Sequence, residues 1–169
     1  AITYQYSKTM KMEQRFMYRD HLIFVAGTIC SGKSFEAAII ADSLDYDFVE
    51  ISSIVREILD TNKRDNLQGH PELSTQIIDR IIEIRRTTRK MGVVVSGPRQ
   101  VEILQAFPLA ETIWMNTPMS ICFDRFCKRK DTKDKEFTRD VFEDYLLKDD
   151  ELGLQEVKQF IEKNKYERN

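Results

Sequence analysis

The octapeptide Gly27-Thr28-Ile29-Cys30-Ser31-Gly32-Lys33-Ser34 satisfies the pattern G-x-x-x-x-G-K-S in full, and its flanks narrow the choice of fold further. His21-Leu22-Ile23-Phe24-Val25-Ala26, just before it, is an apolar run of aromatic and branched residues and predicts a buried strand. The alanine-containing stretch from Phe35 to Leu44, just after it, predicts a helix. A strand, a glycine loop and a helix in that order aim backbone N–H groups and a helix N-terminus at a di- or triphosphate. In that arrangement Gly27 and Gly32 let the chain wrap closely, Thr28, Cys30 and Ser31 line the turn, Lys33 adds positive charge, and Ser34 offers a hydroxyl to Mg²⁺.

Alternation of strands and helices continues downstream. Asp47–Ile51 predicts a second strand, and Ser52 or Ser53 an N-cap for a helix through Arg56 and Leu59. Residues 60–71 are turn-rich. Leu73–Lys90 predicts a long helix with an isoleucine stripe, ended by Gly92. Its arginines read as a solvated face and favourable charge near a helix C-terminus. Val93–Val95 predicts a buried strand, Ser96-Gly97-Pro98-Arg99 a turn, and Val101–Phe107 a short helix stopped by Pro108. Thr112–Asn116 predicts the next strand, with Trp114 in the core, and helices are expected from Pro118 to about Arg129, over Phe137–Glu151 and over Leu154–Lys163. The charged residues 130–136 read as a surface loop. This order implies an α/β fold with a mostly parallel sheet covered by helices on both faces and ligands at the carboxyl ends of the strands. The phosphate loop, Arg56, Arg99 and the loop near residue 130 fall at that end.

Composition removes several function classes. The 169 residues are enough for one domain, taken as residues 21–169 behind an N-terminal extension of residues 1–20. With 41% apolar and 32% charged residues the chain is globular, and a net charge of −2 gives no global attraction to nucleic acid or anionic membrane. No stretch reaches the ~20 apolar residues of a membrane span. The charged leader does not resemble a secretory signal. Cys30, Cys122 and Cys127 lack metal or disulfide spacing, which is expected of a cytoplasmic chain. Cys30 reads either as a reactive thiol beside Lys33 or as a small residue tolerated in the loop. His21 and His70 read as structural.

Four segments taken in order resemble P-loop kinases of the nucleoside monophosphate kinase and dephospho-CoA kinase-like superfamily: Gly27–Ser34, Ser52-Ser53-Ile54-Val55-Arg56, Val95-Ser96-Gly97-Pro98-Arg99, and Asp124-Arg125-Phe126-Cys127-Lys128-Arg129-Lys130. Phe142-Glu143-Asp144 and Asp149-Asp150-Glu151-Leu152-Gly153 resemble small archaeal dephospho-CoA kinase-like proteins and phage deoxynucleotide kinases. The resemblance spans residues 21 to about 155. It implies a three-layer P-loop NTPase fold with a short lid at about residues 130–139, and ATP with Mg²⁺ as cofactors. By the same resemblance Arg56 and Arg99 grip the acceptor phosphate. Arg125 stacks on the donor base, and Arg129, with Arg139 across the lid, approaches the transferring phosphoryl group. Catalysis would then rest on Lys33, Arg129 and Arg99.

The chain departs from that family in two places. Ser96 stands where the third-strand turn usually carries an aspartate, and Ser53 where the second helix often carries an acid; Glu50, Asp42 and Asp47 are nearby substitutes. An anionic acceptor needs no base, so this departure favours a nucleoside monophosphate. A hydroxyl acceptor, as in dephospho-CoA kinases, or a nucleobase or end on DNA would call for a carboxylate base. DNA would also need a basic aromatic surface, for which Tyr4, Tyr6, Phe16 and Tyr18 among Lys8, Lys11, Arg15 and Arg19 are the one candidate. A non-catalytic ATP-binding module is the reading from a different class. The second departure is the final strand of the family sheet, for which no segment after Lys163 is apparent. Either the sheet is one strand short, or the terminus is trimmed, or Ile2–Tyr6 replaces it.

Overall fold

The computed structural model describes residues 21–59, 72–129 and 138–167. The N-terminal extension with its aromatic and basic residues, the 60–71 segment with His70, and most of the expected lid lie outside them. The elements run β1 (Leu22–Ala26), α1 (Lys33–Leu44), β2 (Tyr46–Glu50), α2 (Ile51–Leu59), α3 (Leu73–Thr87), β3 (Gly92–Ser96), α4 (Val101–Gln105), β4 (Glu111–Trp114), α5 (Met119–Cys127), α6 (Arg139–Leu152) and α7 (Leu154–Glu167). The described sheet has the order β2-β3-β1-β4, and every pairing in it is parallel. It is an α/β sheet with helices on both faces.

Side-chain alternation along the strands feeds two cores. On one face Leu22, Phe24, Val93 and Val95 meet Ile51 and Ile54 of α2, Ile77 and Ile81 of α3, and Leu154, Val157 and Ile161 of α7. On the other, Ile23, Val25 and Val94 meet Ala37 and Ala41 of α1. The two alanines stand one helical turn apart, and their small side chains let α1 lie close to the strand that leads into it. A third cluster joins Ile29 of the glycine loop to Cys122 and Phe126 of α5 and Phe142 of α6.

The element boundaries correct three expectations. Ser52 and Ser53 do not cap a helix: α2 begins at Ile51, directly after β2, because burying Ile51 and Ile54 draws the chain onto the sheet at once. Gly92 does not end α3. That helix stops at Thr87, where Thr88 turns extended (φ −61°, ψ 140°), returns its N–H to Ile84 O and donates its hydroxyl to the Asp47 carboxylate. Gly92 is instead the first residue of β3, opposite Tyr46. β4 is displaced towards its N-terminus relative to Thr112–Asn116, and Trp114 is only partly buried at the sheet edge, with the Lys158 ammonium 5.8 Å from its ring centroid.

Candidate active site

The loop leaves the carboxyl end of β1, the strand paired on both sides. Gly27 is buried where a Cβ would collide with Ser31 Oγ, and that hydroxyl has no hydrogen-bond partner among the described residues. Cys30 (φ 59°) and Gly32 (φ 91°) are left-handed, which folds the loop back on itself before α1 starts. Protein donors occupy three loop carbonyls. Lys33 Nζ donates to Thr28 O at 3.2 Å, Thr117 Oγ1 to Ser31 O at 2.6 Å, and Arg125 Nη1 to Cys30 O at 3.3 Å. The opening N–H groups of α1, by contrast, have no intrahelical acceptor, and a helix N-terminus of this kind favours an anion. The loop thus presents donors outward and ties its acceptors down.

Cys30, Gly32, Lys33, Ser34 and Phe35, together with Arg125 and Arg129, line a cleft of about 500 Å³. Six of the residues singled out in the sequence therefore share one space. Thr28 is half-buried behind it, its hydroxyl 3.7 Å from Cys122 Sγ. Of the two readings of Cys30, the structure opposes the reactive one. Burial pushes its thiol pKa up, and the Arg129 and Lys33 charges that would stabilise a thiolate do not outweigh that loss of solvent.

The end of β3 closes the other side. A Cβ on Gly97 would stand 3.6 Å from Lys33 Cε, so the Ser96–Gly97 turn lies directly against the loop lysine. Ser96 is buried and is matched in register with Glu50 on β2 and Val25 on β1. Glu50 is half-buried, with Ser52 Oγ donating to its Oε2 at 3.5 Å. Of the three nearby acids, Glu50 alone stands at the carboxyl end of a strand. Asp47 is engaged by Thr88 nearer the opposite end of β2, and Asp42 is exposed near the far end of α1.

The arginines divide into two groups. Arg125 and Arg129 reach the cleft, whereas Arg56 is exposed on α2, its Nη2 donating to Ser53 Oγ at 3.0 Å. Arg99 is turned inward: its Nε donates to Asp149 Oδ1 at 2.7 Å, within an ion pair whose side chains are 11% and 1% exposed, and its Nη1 reaches Gly97 O at 3.5 Å. Arg139 lies 4.9 Å over the Phe123 ring and pairs with Glu143, and it does not line the cleft. Sequence reasoning missed Phe35, Thr117 and the Asp149 partner of Arg99. Only Phe35 carried a local signal, as a large aromatic residue directly after the phosphate loop.

No family model and no curated protein matches the chain. Solved structures do. The shikimate kinase from Bacteroides thetaiotaomicron aligns with a TM-score of 0.54 at 16% identity, over 75% of this chain and 76% of that one. The shikimate kinase from Acinetobacter baumannii, in complex with shikimate, aligns with a TM-score of 0.50 at 16% identity, over 90% of this chain and 98% of that one. At this identity the likeness carries the fold alone: the chain shares the α/β architecture of these shikimate kinases, a mostly parallel sheet flanked by helices.

Proposed function

We propose that the chain is an ATP-dependent phosphotransferase acting on a small nucleotide-like acceptor, with a nucleoside monophosphate as the first candidate. The observation that carries this reading is the meeting of Lys33, Ser34, Arg125 and Arg129 around one cleft at the start of α1. The loop amides and Lys33 hold the β- and γ-phosphates, and Arg129 neutralises charge on the transferring group. Arg125 flanks the donor base. Arg56 holds the acceptor from α2, and Arg99 contributes to acceptor binding by ordering the Ser96–Gly97 turn from its ion pair with Asp149, or by exchanging that partner for the acceptor.

The hard oxygen of Ser34, with Glu50 and Ser96 at neighbouring strand ends to hold water, is a donor set suited to Mg²⁺. Held there by Ser34, with Glu50 and Ser96 ordering its water, Mg²⁺ would supply charge neutralisation to the phosphates. Residues 130–139 act as the lid that excludes competing water.

One observation favours a second reading, in which the acceptor is a hydroxyl. The carboxylate absent at Ser96 is available one strand away at Glu50, where it can take a proton from an attacking alcohol. The fold shared with shikimate kinases supports that reading equally. Transfer from labelled ATP to a panel of nucleoside monophosphates, dephospho-CoA, nucleosides and DNA separates the two. A phosphorylated monophosphate supports the first; an alcohol product, lost by at least about a hundredfold in Glu50→Gln as its base is removed, supports the second. ATP binding without transfer to any acceptor defeats both and leaves a binding module. Lys33→Ala must abolish transfer in either case.

A further inference from the structure

The walls of the cleft say how a donor base is recognised there. Phe35 is 74% exposed, although it is a large apolar residue in the first turn of α1 and lines the same cleft as Lys33 and Arg125. Its neighbours towards the sheet, Ala37 and Ala41, are buried, so α1 has an apolar inner face that Phe35 does not join. Arg125, which also lines the cleft, holds its guanidinium against the loop, with Nη1 3.2 Å from where a Gly32 Cβ would stand. The cleft therefore has a neutral aromatic ring on one element and a planar cation on another. Among the described residues that line it, none has an amide or carboxylate side chain with which to read the hydrogen-bonding edge of a base.

From this we infer that Phe35 is the donor-base platform and that the site recognises the donor by stacking, with weak discrimination between purines. The inference rests on the phosphate-loop reading above and adds to it the class of donor: a nucleoside triphosphate chosen for its phosphates and its flat base, with little regard to which base. Stacking on an aromatic ring is worth about 1–3 kcal/mol per base and tolerates base identity, because every base presents a π-face. That corresponds to an affinity change of roughly 5- to 150-fold.

Calorimetric titration of the full chain with ATP, GTP and inorganic tripolyphosphate tests it. The wild-type chain is expected to bind ATP and GTP within about fivefold of each other, and tripolyphosphate at least about fivefold more weakly. Phe35→Ala is expected to weaken both nucleotides by about 5- to 150-fold and leave tripolyphosphate unchanged, with Phe35→Trp restoring the nucleotides. Because Phe35 is exposed, these variants should fold. Unchanged ATP affinity in Phe35→Ala overturns the platform, as does equal loss of tripolyphosphate, which would put Phe35 at the phosphates. A preference for ATP over GTP beyond about a hundredfold overturns base tolerance. A wild-type chain that binds none of the three overturns the phosphate-loop reading itself, a result none of the other outcomes can imitate.

Discussion

Removing one partner of the Arg99–Asp149 pair leaves a charge in a place with little water to screen it. Both side chains are nearly inaccessible, and the pair ties the turn after β3 to the last helical turn of α6. Asp149→Ala should therefore cost about 3–5 kcal/mol, because the Arg99 guanidinium stays buried without its counter-ion. The urea midpoint of unfolding measures this, and a midpoint equal to wild type would mean that the pair carries no stability. The glycine loop was legible in the sequence because its chemistry is contiguous: Gly32, Lys33 and Ser34 are neighbours in the chain and in the cleft. Asp149 was not, since nothing in the letters around Arg99 points fifty residues ahead. Glu50 was visible as an acid near the end of an expected strand but not as the register partner of Ser96, because that match is set by the pairing of β2 with β3, two strands far apart in the chain.

At the scale of elements, α6 matters more than its distance from the loop suggests. Phe142 packs on Phe126 and Phe123, with ring centroids 5.4 and 5.5 Å apart, and so supports the helix that carries Arg125. Its N-terminus is fixed by Thr138, whose side chain accepts a hydrogen bond from Val141 N–H at 3.3 Å. Thr138→Ala should destabilise the chain by about 1 kcal/mol, read as a lowered denaturant midpoint at unchanged slope. An unshifted midpoint would show the cap to be dispensable. The strands and helices themselves were largely readable from apolar runs and periodicity. Their ends were less so: the start of α2 is set by where Ile51 and Ile54 find the sheet, and the end of α3 by Thr88 meeting Asp47 on another strand. Neither contact is local.

For the whole molecule, binding at the loop should stabilise everything, since β1 lies inside the sheet and α1 packs against it. A ligand at a hundredfold excess over its Kd adds about 2.7 kcal/mol to the folded state. For a chain of this size that raises Tm by several degrees. Thermal melts with Mg²⁺ and ATP should show the rise, and Lys33→Ala should lose it; an ATP-independent Tm in the wild-type chain would argue against a nucleotide site. The parallel sheet also has a consequence in time. The eight loop residues leave the ribosome before Gly97, which flanks Lys33, and Thr117, which holds Ser31. Parallel pairings of this kind close only after long stretches of chain have been made. A nascent chain that ends before β3 carries every letter of the motif but lacks the Gly97 turn, Thr117, Arg125 and Arg129 around it, so the complete cleft forms only after the sequence that advertises it has long been made.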